Sequence, residues 1–457
     1  MRTVTKNNWE KKRKRACERK RERGMLVRIR RKKRKKNAKY SRQANVFPNK
    51  VFHFLKKKEF GKYHFPRFKG HSVTLPIPES FSFSENPDGT IDFLEKLFFY
   101  GSKLEIAEIN IDHSHCYNLE IAASTVMDVI VLAIEEFHRK NKSEIVFRGT
   151  IPGEGKVKDV FMASGLAAHM RMDIQSGIPV DWEHIQRFKL ISGYHGSQRS
   201  GSVATELADY IIKCMNRQGY TLTNMGKNIL GSLFGEVLDN CEIHGGNDST
   251  WFALGHYQEN NKATYGEIQL VIFDFGDTIY EQLCAASTSK ETKEKLKYLS
   301  ARHETYFNKN WTEEMLYTLL SLQEGISRLK DNAVEGNRRR GLGTVKLIKN
   351  FQQIGQTQNG RKSLMTITSG NTHILFDKSY CMTKMDIQDE MLGSGKRGII
   401  AFNKDNDIFQ PPETNYVKRL KKYFPGTVIS LNFFLDREYL TQILEAKNEE
   451  ATGSEDN

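Results

Sequence analysis

The sequence predicts an α+β protein: helices beside a mostly antiparallel sheet, preceded by a smaller α/β region and a basic arm. Three observations predict it. From about residue 91 the apolar period switches repeatedly between two and about 3.6 residues. Near the end of the chain, strands follow one another instead of alternating with helices. At 457 residues the chain is long enough for two or three domains with their own cores. No apolar run reaches the roughly 20 residues that a bilayer span requires, and no apolar secretory stretch opens the chain.

Residues 1–45 form a charge run. Residues 1–36 carry 19 Lys and Arg against 3 Glu, while the whole chain sums to +15. The remaining residues are therefore near neutral, and the basicity belongs to the arm. Self-repulsion keeps such a stretch disordered unless a polyanion neutralises it. It reads either as a nucleic-acid arm over residues 1–40 or as a solvated tail, and Met25 inside it also allows a later start. Residues 46–90 interleave Pro48, Pro66, Pro76, Pro78 and Pro87 with aromatics and Lys, which reads as a linker with one short strand.

Over 91–190, Glu105–Asp112 alternates as a strand and Leu119–Lys140 has helical periodicity. Ser143–Gly149 is a second strand and Val157–Met170 a second helix. Strand–helix–strand–helix order implies parallel strands. A Gly- and Ser-rich connector, Ser192–Ser202, precedes a second domain over 203–440. That domain is expected to hold helix Val203–Arg217, a helix around Glu236, strands Trp251–His256 and Ile268–Phe273, and a mostly helical insertion near 279–330. A Gly-rich loop and helix follow at 340–352, then strands Leu364–Ser369, His373–Phe376, Gly398–Phe402 and Thr427–Phe433. Residues 441–457 read as a disordered tail. The scattered cysteines, with no C-x-x-C pair, suit free thiols in a reducing, cytoplasmic setting.

Chemistry concentrates in residues 229–244, where Glu236, Asn240 and His244 recur every fourth residue. On an α-helix that spacing stacks a carboxylate, an amide and an imidazole along one face. Leu230, Leu233, Phe234, Val237, Leu238 and Cys241 form the adjoining apolar stripe. Asp274 ends the apolar run Ile268–Phe273 and is followed by Gly276, Thr278 and Ile279. Farther on come Arg338-Arg339-Arg340-Gly341-Leu342-Gly343 and Gly426-Thr427. Gly341 and Gly343 let main-chain N–H groups turn toward phosphate at a helix start, and the arginines can neutralise triphosphate charge. Asp112, His113, His115 and Cys116 lack a second ligand cluster and read as a polar strand-end loop.

Taken in order, these segments resemble the GHKL ATPase superfamily of gyrase, heat-shock chaperone, histidine kinase and mismatch-repair ATPases. Glu236-Val-Leu-Asp-Asn240 is similar to the N-box, Asp274-Phe-Gly276-Asp-Thr278-Ile279 to the D-x-G-x-G-I box, Arg338–Gly343 to the G-x-G lid, and Gly426-Thr427 to the Gly-Thr beside adenine. The resemblance covers about residues 203–436 and implies a Bergerat-type α/β sandwich that binds ATP and Mg²⁺. It implies that Asp274 accepts from the adenine amine and that Gly276, Ile279 and Thr427 line the base. Arg340, Gly341, Leu342 and Gly343 would hold phosphate, Asn240 would ligate Mg²⁺, and Glu236 would activate water. Thr278 stands where the family has its second Gly. Residues 91–190 resemble a STAS-type fold, without its Asp-Ser-Ser-Gly phosphoacceptor.

The resemblance implies an ATPase whose lid cycle gates a protein partner or a homodimer interface, in bacterial signalling or defence. A protein serine kinase of the anti-sigma type stays open, as does a nucleotide-gated nucleic-acid-binding module with little turnover. A histidine kinase fits less well, because His303-Glu304 follows the N-box and has no nearby Pro.

Overall fold

The computed structural model describes residues 48–62, 70–150, 157–158, 160–161, 185–221, 224–259, 265–326, 343–353, 363–389 and 391–436. The basic arm, the C-terminal tail and the lid residues Arg338–Leu342 lie outside the described residues, as does most of the helix expected over 157–170.

The frame is a five-stranded sheet of β6 (Ile185–Tyr194), β7 (Thr250–Glu259), β8 (Tyr265–Phe275), β9 (Leu364–Phe376) and β12 (Val417–Asp436). Its order is β6-β7-β8-β12-β9, and every neighbouring pair is antiparallel, as the succession of strands predicts. Side chains alternate between its faces. Trp251, Ala253, Ile268, Leu270, Ile272, Leu431, Met365 and Ile367 join one core with helices α4 (Ser200–Arg217), α5 (Asn224–Asp239) and α9 (Gly343–Gln353). Leu233, Phe234, Val237, Leu238 and Cys241 are all buried there, so the apolar stripe read from the sequence is the packed face of α5. The insertion after β8 supplies α6 (Ile279–Cys284), α7 (Lys290–His303) and α8 (Glu313–Leu320). The mostly exposed ribbon of β10 (Thr383–Asp389) and β11 (Gly393–Ile399) follows β9. The two strands expected over 364–376 form one, β9, in which Gly370 takes φ +59°.

The other face carries aromatic rings: Phe252 stacks on Phe273 at 4.9 Å between centroids, and Phe275 stacks on Phe424 at 5.8 Å. What covers it comes from the first part of the chain. A three-stranded parallel sheet, ordered β1-β3-β5, is formed by β1 (Ser72–Pro76), β3 (Glu108–Asp112) and β5 (Val146–Gly149). Its parallel pairing agrees with the strand–helix alternation. Short parallel strands β2 (Ser80–Phe81) and β4 (Asn118–Leu119) stand beside it. Helices α2 (Pro87–Gly101) and α3 (Ile121–Lys140) pack on β12 and on β7–β8. Nearly every residue of α3 from Ile121 to Ala133 is buried, because the helix packs on α2 as well as on the large sheet.

Two corrections follow. Residues 48–62 and 70–90 are not a linker: Pro48 opens helix α1 (Pro48–Lys57), a favoured residue there. Val51, Phe52, Leu55, Phe81 and Phe83 are fully or nearly fully buried, and Phe52 stacks on Phe137 of α3 at 4.0 Å. The stretch before residue 202 is likewise not a plain connector, since Ile185–Tyr194 forms β6 and pairs with β7. The described elements from Pro48 to Asp436 belong to one unit.

Candidate functional site

The site residues gather where β8 ends. Asp274 is 2% exposed and lies in cross-strand register with Trp251 of β7 on one side and Thr427 of β12 on the other. Alternation aims it at the α5 face, where the buried Cys241 thiol hydrogen-bonds its carboxyl. Burial pushes the Asp274 pKa up to about 8. The Cys241 thiol and the Thr427 N–H pull the other way, and the Asp277 charge adds to the rise. Its Oδ1 is buried with no hydrogen-bond partner, as is Ser249 Oγ nearby. Buried acceptors are nearly always satisfied, so Oδ1 is an acceptor in want of a donor.

Glycines let the backbone close tightly around it. A Cβ on Gly276 would stand 2.5 Å from the Gly245 carbonyl oxygen, 2.8 Å from Asp274 Oδ1 and 3.0 Å from Ser249 Cβ. Gly426 takes φ +138°, and a Cβ there would overlap the Asp274 carbonyl oxygen. Thr427 Oγ1 meets Ser369 Oγ at 3.0 Å, and Ser369 Oγ also accepts the Ile279 N–H at 3.0 Å. Ile279 and Thr427 thus share one hydroxyl from β9.

Thr278, the departure from the G-x-G-I pattern, has φ −65°, which any residue adopts. Its Oγ1 accepts the Glu281 N–H at 3.2 Å while its own N–H donates to Glu281 Oε2 at 2.9 Å. This capping box starts α6, so the hydroxyl replaces a flexible residue with a helix cap.

Glu236 is half-buried one turn before Asn240, whose side chain is exposed. The α-helical spacing holds between those two and then changes. Asn240–His244 is a π-type turn, which takes one more residue per hydrogen bond than an α turn. The α-helical spacing that the single-face row requires therefore ends at Asn240, and the His244 side chain lies outside the described residues. The same turn carries Cys241 to Asp274 and brings the Gly245 carbonyl to the Asp277 N–H at 2.8 Å. Gly343 opens α9, which packs on α5. Arg340, Gly341 and Leu342 lie outside the described residues.

Sequence reasoning missed two contributors. Glu242, 4% exposed, directs its carboxylate at the start of α4. From α1 and the residue after it, Lys57 reaches Asp248 at 2.9 Å, while Lys58 reaches Glu281 at 2.7 Å and Asp277 at 3.6 Å. The supposed linker therefore borders the site. An apolar run among prolines gave the signal for α1; nothing local signalled Glu242.

Compared with family models, curated proteins and solved structures, the chain matches none. No described helix is long and apolar enough to cross a membrane.

Proposed function

We propose that the chain binds Mg-ATP and hydrolyses it, the cycle gating a protein partner or a homodimer interface in bacterial signalling or defence. One observation carries the reading: the orphaned Asp274 Oδ1, beside a Gly276 whose position leaves no room for a side chain, with Thr427 across the strand and the Glu236–Asn240 helix end alongside. A buried acceptor without a donor suits the exocyclic amine of a purine, and Ser249 Oγ offers a second polar partner. A negatively charged phosphate chain would run from there toward the start of α9, where a helix N-terminus favours anions.

The residues fit Mg²⁺ in one respect, an exposed amide oxygen on Asn240 one helical turn from a carboxylate. When bound, the ion would neutralise phosphate charge. Glu236 would orient the attacking water and take its proton. Asp274 would fix the base, and the Ser369 hydroxyl would keep the Ile279 N–H and the Thr427 hydroxyl in place around it.

The test is calorimetric titration with ATP and Mg²⁺, with phosphate release followed in parallel. Wild type should bind and release phosphate. Glu236→Ala should bind within a few-fold of wild type while turnover falls by about 10²-fold or more. Equal turnover in Glu236→Ala, or no binding by wild type, refutes the proposal. Label from γ-³²P-ATP retained on protein would instead favour a kinase.

A further inference from the structure

We infer that Glu242 is a positioning residue: by fastening the π-type turn to the start of α4, it sets the place of Asn240. The inference rests on the Mg-ATP reading above, in which Asn240 ligates the ion.

The carboxylate of Glu242 accepts the backbone N–H groups of Gln198, Arg199 (3.2 Å) and Ser200 (3.0 Å), and the indole N–H of Trp251 (3.2 Å). Its own carbonyl oxygen lies 2.9 Å from His195 Nδ1. Residue Arg199, before α4, gives that helix no side-chain cap, so Glu242 supplies the cap from a distant part of the chain. The match is electrostatic as well as geometric. The first N–H groups of a helix have no intrahelical partner and sit at its positive end, and a buried carboxylate needs such donors to stay charged.

The consequence falls on the turn. Asn240, Cys241 and Glu242 are consecutive in it, and Trp251 stands beside Asp274 on the neighbouring strand. Glu242 therefore ties the turn both to α4 and to the strand flanking the floor of the site. A π-type turn holds one residue more than the α turn it replaces. The four donors gripping Glu242 anchor the turn at α4, as the Cys241 thiol anchors it at Asp274, so withdrawing them leaves one anchor fewer against relaxation toward α geometry. Asn240, its first residue, would then shift relative to Glu236, which remains in regular helix.

The test uses the full chain carrying Glu242→Gln or Asn240→Ala, with ATP titrated calorimetrically with and without Mg²⁺ and urea denaturation run on each variant. Glu242→Gln keeps the shape but withdraws the charge. It should raise the Mg²⁺ concentration for half-maximal ATP binding by about 10–100-fold, the usual cost of losing a group that orients a metal ligand. Asn240→Ala should do the same, and Mg²⁺-free ATP binding should stay within about two-fold in both. A carboxylate that only stabilises the fold would lower the urea midpoint and leave the Mg²⁺ requirement of the folded protein at the wild-type value, which overturns the inference. If Glu242→Gln does not fold, Trp251→Phe, which withdraws one donor, takes its place. A smaller rise in the same direction supports the inference and an unchanged requirement overturns it. Wild type that ignores ATP, or binds it with no effect of Mg²⁺ or of Asn240→Ala, overturns the Mg-ATP reading itself and the inference with it.

Discussion

On the proposed reading, Asp274 would make ATP affinity depend on pH in a way that can be worked out beforehand. Burial holds its pKa at about 8 in the nucleotide-free protein, and the proposed reading assigns the bound form to the ionised carboxylate, a stronger acceptor than the neutral acid. At pH 7 ionising it costs about 1.4 kcal/mol, and at pH 6 about 2.7 kcal/mol. Affinity should therefore fall roughly ten-fold per pH unit from pH 8 to 6 and level off above 8. Binding at pH 7 should release about nine-tenths of a proton, which calorimetry at saturating Mg²⁺ in buffers of different ionisation enthalpy counts directly. Asp274→Asn has no proton to release, so its profile should be flat. At pH 8 it should bind about 10–150-fold more weakly, for a lost charged hydrogen bond of roughly 1.5–3 kcal/mol. The same group governs stability with the opposite sign. A carboxyl whose folded pKa lies above its unfolded value of about 3.9 binds more protons when folded. Its contribution is present below pH 4 and is lost as pH rises to 8. Urea midpoints of the nucleotide-free wild type should therefore fall across that window more steeply than those of Asp274→Asn. A flat affinity profile without proton release, or a wild-type slope retained in Asp274→Asn, refutes the reasoning.

Two further outcomes are expected. Thr278→Ala removes the hydroxyl that caps α6 and should cost about 0.5–2 kcal/mol in urea denaturation; no loss would mean the cap is idle. Deleting residues 1–40 should abolish binding to DNA or RNA that weakens steeply with salt, measured by fluorescence anisotropy, while leaving ATP binding intact; no such binding in the full chain would leave the arm a solvated tail.

The sheet and its helices were legible because their signals are local. Ile268–Phe273 reads as a strand and Leu233–Cys241 as a helix face whatever surrounds them, and both lie where their periods put them. The segments that went unread depend on distant partners. Helix α1 is held because Phe52 meets Phe98 of α2 and Phe137 of α3, and the prolines around its apolar run favour a linker in a local reading. β6 is a strand because β7 is its neighbour, and its Gly193 makes room for the ring of Trp251. The site divides likewise. Asp274 and Gly276 sit where β8 ends, where an apolar run stops and chemistry begins, and Thr427 sits within β12 just after its register shift. Glu242 is two residues from Asn240, yet its three backbone donors lie more than 40 residues earlier in the chain. A π-type turn leaves no periodicity to read.

The α/β region before residue 150 is better understood as part of the site's frame than as a detachable partner. Domains that exchange partners bury modest, comparatively polar interfaces. Here Phe83 packs edge-on against Phe424 at 5.8 Å, and Phe424 in turn stacks on Phe275, the residue next to Asp274. Lys422 pairs with Asp92 at 2.7 Å and Glu95 at 2.8 Å, and Asp88 accepts the Lys421 and Lys422 N–H groups. These contacts grip β12 at its register shift, immediately before Gly426 and Thr427. Glu120 bridges Ser82 and Ser430, one further link from α3 to the same strand. Undocking the region would expose buried aromatic rings and strip a half-buried lysine of both partners. A signal received there would more readily reach the site by shifting β12 than by releasing the region from it.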